Sequence, residues 1–320
     1  MNNQIIILGS TGSIGSSTLK SINKNKKLKV KLLTTNKNVR KIYNQAIKYR
    51  VKHIIIEDKI SYLKFRKKFL KKNIKVYLGI NSLEKIIKKK VTYCINSISG
   101  IDGLYPTLKA IPLTKNILIA NKESIVCGWH LILNRLKKYK TSFIPLDSEH
   151  FSIWNLIKNE NINDVEKIVL TASGGPFLNL SNSKISNIHP KFALKHPNWK
   201  MGKKISIDSA TLMNKVFEVI EARNIFDINF KQISILTHPK SYIHSIVKFD
   251  NGLIKILAHE PDMKIPIYNS LNKFVKKGIA TKEVDLKILN DLKLKKIDEK
   301  KFISIKLLKN LPNYTSLYET

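Results

Sequence analysis

Residues 4–15 read QIIILGSTGSIG: an apolar run from Gln4 to Leu8, followed by Gly9, Gly12 and Gly15 in a G-x-x-G-x-x-G spacing. The Ser/Thr/Leu stretch after it has helical character. Strand, glycine turn and helix start together make a phosphate cradle. Small residues let the backbone approach a pyrophosphate, and the helix N-terminus stabilises its charge. The spacing departs from the standard G-x-G-x-x-G, so the position directly after the first strand carries the reading.

The second strand, Lys29 to Thr34, runs into Thr34-Thr35-Asn36-Lys37-Asn38. An NAD site usually places Asp or Glu here to hold the ribose 2′-hydroxyl. No acid stands here and Lys37 does, which favours NADP; the competing reading makes Lys37 one more solvated lysine. A helix is expected from Val39 to about Arg50, then apolar runs at His53–Glu57, Lys75–Leu78, Val91–Asn96 and Asn116–Ala120. Such βα alternation predicts a doubly wound, mainly parallel sheet. Asn121-Lys122-Glu123-Ser124 follows the last of these strands, at a carboxyl end where such sheets bind ligands.

A further strand, Ser142 to Leu146, ends in Asp147-Ser148-Glu149-His150. With an extended backbone, Asp147 and Glu149 point the same way. Neighbouring carboxylates repel unless a proton or cation sits between them, and oxygen ligands without Cys select Mg²⁺ or Mn²⁺. Glu218 is a candidate third carboxylate, and His150 reads as structural or supporting. Lys167 to Thr171 runs into Ser173-Gly174-Gly175-Pro176-Phe177, which is either a phosphate-wrapping turn with Ser173 as donor or simply a tight turn. Between His196 and Ala222 the chain reads first as a flap, with Pro197, Gly202 and three lysines within eight residues, carrying His196 and Trp199, then as a helix from about Ala210. In that helix Asn214, Lys215 and Glu218 fall at i+4 and i+3 spacings and share one side, leaving Val216, Phe217, Val219 and Ile220 to pack on the other. His238 to Ala258 predicts strands with a hairpin turn at Asp250-Asn251-Gly252, and His238 and His244 read as structural.

The 320 residues, 43% hydrophobic and 8% aromatic, suit a globular chain with a real core and room for two domains. No apolar run approaches membrane-spanning length and no signal-peptide pattern opens the chain, so a cytoplasmic location and no membrane partner are expected. Cys94 and Cys127 lack metal-ligand spacing and read as buried free thiols. A net charge of +35 invites a nucleic-acid reading. The excess is nearly all Lys, scattered and accompanied by Asn and Ile as AT-rich codons produce, and no binding motif accompanies it; a specific nucleic-acid partner is not expected.

With these pieces assembled, the sequence closely resembles the 1-deoxy-D-xylulose 5-phosphate reductoisomerase family. The match is carried by GSTGSIG at Gly9–Gly15, ANKES at Ala120–Ser124, DSEH at Asp147–His150, SGGPF at Ser173–Phe177, the stretch His196–Ala222, and EPDMKIPI at Glu260–Ile267. The resemblance implies an NADPH- and metal-dependent rearrangement and reduction of a phosphosugar. It implies that Thr11, Gly12, Ser13 and Ile14 hold the cofactor pyrophosphate, that Asn36, Lys37 and Asn38 lie near the adenosine phosphate, and that Asn121, Glu123 and Gly202 complete the NADPH site. Asp147, Glu149 and Glu218 would bind Mn²⁺ or Mg²⁺, with Co²⁺ a third candidate, and would be catalytic together with Lys122. Lys122, Ser148, Glu149 and Glu218 would meet the sugar. Ser173, Ser209, Asn214 and Lys215 would surround its phosphate, with His196 binding substrate and Trp199 closing over it.

The expected architecture is α/β: a Rossmann-like NADPH-binding domain over 1–140, an α+β catalytic domain over 141–270, and a linker with a shortened C-terminal helical segment over 271–320. Two departures from the family stand out. Gly is usual where this chain has Thr35 or Asn36, and the family's C-terminal helical bundle is represented only by a Lys-rich stretch from about Leu286 to Thr320. The second departure leads us to expect reduced stability offset by a homodimer. It also keeps open an alternative reading, a non-catalytic or partner-dependent remnant that binds NADPH and phosphate ligands; a different NADP-dependent oxidoreductase on the same fold is a further one.

Overall fold

The computed structural model describes residues 3–22, 27–199, 201–271 and 278–311; Lys200 of the expected flap and parts of the expected 271–320 segment lie outside the described residues. The chain divides into two compact units, Met1–Asp147 with Pro266–Gly278, and Ser148–Ile265 with Ile279–Thr320.

In the first unit, β1 (Asn3–Leu8), β2 (Leu28–Thr35), β3 (His53–Ile56), β4 (Lys75–Leu78), β5 (Val91–Asn96), β6 (Thr114–Ile119) and β7 (Ser142–Pro145) form one sheet in the order β4-β3-β2-β1-β5-β6-β7. Every neighbouring pair is parallel. The helices are α1 (Ser13–Ile22), α2 (Val39–Lys48), α3 (Lys59–Leu70), α4 (Leu83–Ile86), α5 (Leu104–Ala110) and α6 (Lys122–Tyr139). A parallel sheet covered on both faces needs strands that are apolar throughout rather than alternating. Ile5, Ile6, Ile7 and Leu8 are accordingly all fully buried. The strand order reverses between β1 and β5, which opens a crevice beyond their carboxyl ends, where the glycine turn sits.

The turn is held by close backbone packing. Gly9 has φ +73°, and a Cβ there would come 2.9 Å from the Ser97 carbonyl oxygen; a Cβ on Gly15 would come 2.6 Å from the Gly9 oxygen. Ser10 and Gln45 bond reciprocally, Ser10 Oγ donating to Gln45 Oε1 at 2.9 Å and Gln45 Nε2 to the Ser10 carbonyl at 2.8 Å. This locks α2 against the turn.

The second unit has a mixed sheet of β8 (Val165–Ala172), β9 (Ile233–Thr237), β10 (Ile243–Phe249), β11 (Ile254–Ala258) and β12 (Lys295–Lys296), in the order β11-β10-β8-β9-β12. Only β8 and β9 run parallel. The expected hairpin joins β10 to β11, with Gly252 at φ +85°. Its helices are α7 (Ser148–Leu156), α8 (Asn182–Ser186), α9 (Lys203–Ala210) and α10 (Met213–Phe226), followed by α11 (Lys264–Ser270), across the division between units, and α12 (Leu286–Asn290). Ile153 of α7 and Val219, Ala222 and Phe226 of α10 pack on Ile168, Leu170, Val247 and Phe249 of the sheet.

Two local expectations change. The backbone does not stay extended through Asp147–Glu149: α7 begins at Ser148, so Glu149 projects from a helical first turn. The stretch after Gly202 is not all flap either, because α9 occupies Lys203–Ala210 and Leu212, at φ +59°, separates it from α10. Beyond Gly278 the described chain has the five-residue α12, the short β12 on the sheet edge and a 3-10 segment over Ile303–Asn310.

Alanine at Gly15 should destabilise the protein by about 1–3 kcal/mol through overpacking of the turn. At Gly202, where a Cβ meets nothing within 4 Å, alanine should change stability by less than about 0.5 kcal/mol. Urea unfolding of the two variants checks this, and equal midpoints would show that the cradle tolerates a methyl group.

Candidate functional site

In the first unit the candidate groups line the carboxyl ends of the sheet. Gly12 N–H donates to the Gly9 oxygen at 3.0 Å, α1 starts at Ser13, and the Thr11 and Thr35 hydroxyls bond at 2.8 Å. Thr11, Gly12, Ser13 and Ile14 therefore stand at a helix N-terminus beside the end of β2. Asn36, Lys37 and Asn38 are exposed, and Asn38 caps α2 by accepting from Lys41 N–H. Asn121 precedes α6; its Nδ2 donates to the Gly100 carbonyl at 2.9 Å and to Ser124 Oγ at 2.6 Å. Its Oδ1 is buried without a hydrogen-bond partner among the described residues. The glycine cradle and this unsatisfied acceptor fit a dinucleotide that brings a pyrophosphate and an amide donor. Glu123 lies in the first turn of α6. Lys122, only 4% exposed, donates to Asp147 Oδ2 at 2.9 Å.

In the second unit the buried ammonium of Lys215 is the centre. It bonds Glu149 Oε1 at 3.0 Å, pairs with Glu218, and donates to the Thr171 carbonyl. Burial alone would lower its pKa, but the Glu149 and Glu218 charges outweigh that and raise it, so it stays protonated. Asn214 Nδ2 donates to Glu218 Oε1 and Ser148 Oγ to Glu149 Oε2. The i+3 and i+4 spacings read from the sequence thus converge as expected. Carboxylate oxygens of Glu149 and Glu218 lie within 4.8 Å of one another. An all-oxygen pair already gathered around a cation fits a hard divalent ion, and the buried Asn214 Oδ1, without a partner among the described residues, adds an oxygen donor.

Two residues beyond Thr171 begins an anion-suited turn. His196 Nδ1 accepts from the backbone N–H groups of Asn198 (3.1 Å) and Trp199 (2.9 Å). Its proton is therefore on Nε2, which donates to Ser173 Oγ at 2.9 Å. Ser173 Oγ also accepts from Gly175 N–H at 3.1 Å, which leaves its own hydroxyl hydrogen to offer to an anion. Burial lowers the His196 pKa to about 4. Gly174 and Gly175 both have positive φ, and a Cβ on Gly175 would come 2.7 Å from the Ser209 carbonyl, so the turn lies against the end of α9. Trp199 sets its edge against the His244 ring at 6.1 Å, and His244 stacks on His259 at 3.7 Å. Gly202 caps α9 in this unit.

Sequence reasoning missed Glu221. His150 Nε2 lies 2.9 Å from the main-chain oxygen of Glu218, which can only accept, so Nε2 donates and Nδ1 faces Glu221 Oε2 at 3.3 Å. The signal was available, since Glu221 is three residues from Glu218 on the same helix. His238 and His244 bond main-chain oxygens of Lys293 and His259, as structural residues do. The Thr171 carbonyl left no signal in the sequence.

Comparison with known proteins identifies the company this chain keeps. Residues 5–128 match the family model for 1-deoxy-D-xylulose 5-phosphate reductoisomerase, and residues 143–226 match that for its C-terminal domain. The reductoisomerase of Pelagibacter ubique (strain HTCC1062) is 56% identical over 99% of this chain and 82% of its own length. A DOX-P reductoisomerase solved in complex with NADPH, fosmidomycin and magnesium is 35% identical with TM-score 0.87, covering 96% of this chain and 79% of that one. The Zymomonas mobilis reductoisomerase in complex with NADPH is 33% identical with TM-score 0.88, covering 97% and 81%.

Because the folded pKa of His196 lies below the ordinary 6.5, the folded state binds fewer protons between about pH 4 and 6.5. The stability His196 contributes is full above that window and is lost as pH falls through it. Its ring signals in an NMR titration should show no inflection from pH 8 down to about 5. A midpoint near the ordinary histidine value would show that the Ser173–His196 contact is not held in solution.

Proposed function

Since this chain belongs to the 1-deoxy-D-xylulose 5-phosphate reductoisomerase family, we infer that it is an NADP-dependent oxidoreductase of non-mevalonate isoprenoid biosynthesis. It converts 1-deoxy-D-xylulose 5-phosphate to 2-C-methyl-D-erythritol 4-phosphate with NADPH and a divalent metal. The observation that carries this reading is the Glu149–Lys215–Glu218 cluster, whose buried ammonium bonds the carbonyl of Thr171, two residues before an anion-suited turn.

We assign roles to individual residues on that basis. Thr11, Gly12, Ser13 and Ile14 cradle the cofactor pyrophosphate, Asn36, Lys37 and Asn38 face the adenosine phosphate, and Asn121, Glu123 and Gly202 orient the remainder. Asp147, Glu149 and Glu218 hold Mg²⁺ or Mn²⁺. When bound, the ion supplies Lewis-acid polarisation of the substrate oxygens and NADPH supplies hydride. Ser173 donates its free hydroxyl hydrogen to the substrate phosphate while neutral His196 fixes the Ser173 lone pairs. Ser209, Asn214 and Lys215 complete the phosphate pocket. Lys122 and Ser148, each bonded to a carboxylate, contact the sugar oxygens, and Trp199 closes over the substrate and excludes water.

The NADPH-binding assignment covers 1–140, the catalytic one 141–270, and the linker with the C-terminal segment 271–320. A homodimer is supported by β11, an edge strand on which Ile254 and Ile256 are more than half exposed. A cytoplasmic compartment belongs to the same proposal and is supported by Cys94, a buried free thiol as expected, whereas Cys127 is only half-buried. Among the described residues no helix is long and apolar enough to cross a membrane.

The test follows NADPH oxidation with 1-deoxy-D-xylulose 5-phosphate, with and without Mn²⁺ or Mg²⁺. Wild type should turn over only with metal, and Glu218→Gln should lose on the order of 100-fold or more in kcat, as expected when a Lewis-acid site is dismantled. Metal-independent turnover would select a different oxidoreductase. No turnover by folded, metal-loaded protein would select the binding remnant.

A further inference from the structure

The cofactor reading rests on Lys37 as the charge that meets the 2′-phosphate, yet Lys37 is not the cation best placed at the glycine turn. Lys37 lies near Asp58, the capping residue of α3. The Asp58 carboxyl is held below its ordinary value first by hydrogen bonds from Ser61 and then by the nearby Lys37 charge. Part of the Lys37 field is thus spent on a carboxylate of its own chain.

Lys41, in the first turn of α2, behaves differently. Its Nζ donates to the main-chain carbonyl of Thr11 at 2.7 Å, a neutral partner, and among the described residues no carboxylate pairs with it. The ammonium therefore stands on the glycine turn with its charge uncompensated and two further N–H groups to offer. The Thr11 and Thr35 hydroxyls bond at 2.8 Å beneath it, and Thr35 is the last residue of β2, the position from which a dinucleotide fold reads the ribose 2′ substituent. The threonine pair and Lys41 together brace the turn to the strand end.

We propose that Lys41 is a specificity-determining contact for the 2′-phosphate of NADPH in this chain, seated for that role on Thr11 and the Thr11–Thr35 bridge. The proposal rests on the NADPH reading of this turn. Lys41 donates to the 2′-phosphate while keeping its bond to the Thr11 carbonyl, so the turn that holds the pyrophosphate and the cation that reads the 2′ position are one unit. Lys37 is the lesser contributor.

Equilibrium binding of NADPH and of NADH, followed by cofactor fluorescence at low and moderate salt, tests this on the full chain without turnover. Lys41→Gln should weaken NADPH binding roughly tenfold, the size of a lost hydrogen bond to a charged group, and NADH binding less than about twofold. Lys37→Gln should weaken NADPH by a smaller factor, and Lys41→Arg should keep the preference for NADPH. Binding of 2′,5′-ADP should follow NADPH, and that of 5′-ADP should be indifferent to the substitution. Equal weakening of NADPH and NADH by Lys41→Gln, or no weakening of either, would overturn the proposal. Wild type that fails to bind NADPH, or binds it no better than NADH, would instead overturn the cofactor reading itself. Lys41 is exposed, so an unchanged melting temperature of the variant separates a binding defect from a folding one.

Discussion

A lysine ammonium taken out of water and set among two carboxylates and a carbonyl is the constraint on which the second unit depends. Burying an ion costs several kcal/mol, and only close, well-satisfied partners offset it. Lys215 of α10 has Glu149 from α7, Glu218 from its own helix and the Thr171 oxygen from β8, so one cation ties two helices to the central strand of the sheet. The apolar cluster of Ile153, Leu170, Val219 and Val247 then needs only to fill the space these ties define. Such a cluster is a poor way to gain stability, since packed hydrophobic residues would do as well. Its retention is explained by what the carboxylates do.

The first unit shows the same logic at smaller scale. Lys122 is the first residue of α6 and Lys215 the third residue of α10, so both place a cation at the positive end of a helix dipole, where anions are the stabilising choice. In each case a carboxylate in the same unit, Asp147 or Glu149, offsets the mismatch. Basic residues open other helices too, α2 and α9 among them, but Lys122 and Lys215 are buried and each pairs with a partly buried carboxylate, which marks the places where local helix preference yields to chemistry.

That pattern also explains what the sequence could convey. The parallel sheet was legible because Ile5–Leu8 and the strands beside it are apolar without alternation, and the glycine turn because its spacing follows such a strand. The Asn214–Lys215–Glu218 convergence was legible because helical periodicity fixes it locally. The start of α7 at Ser148 was not, since an apolar run ending in DSEH serves an extended chain or a helix cap equally well. Nor was α9 over Lys203–Ala210, whose lysines and flanking Gly202 resemble a loop and whose burial of Ser206 and Ser209 comes from tertiary packing. The contacts of Thr11 with Thr35 and of Lys215 with Thr171 join residues 24 and 44 positions apart, and no local period reports them.

Charge supplies the remaining step. With a net +35, almost any surface of this chain attracts anions, and at the amino ends of the sheet the His53 imidazole is discouraged from protonating first by burial and then by Lys31, Lys75 and Lys52. A field of that extent raises encounter rates with phosphorylated ligands but does not choose among them. Choice requires cations whose partners and positions are fixed. Lys215 is fixed by two carboxylates, Lys122 by Asp147, and Lys41 by a neutral carbonyl that leaves its charge whole. Of 58 basic residues, these few carry chemical information because burial or a specific hydrogen bond holds them; the rest set the potential in which they work.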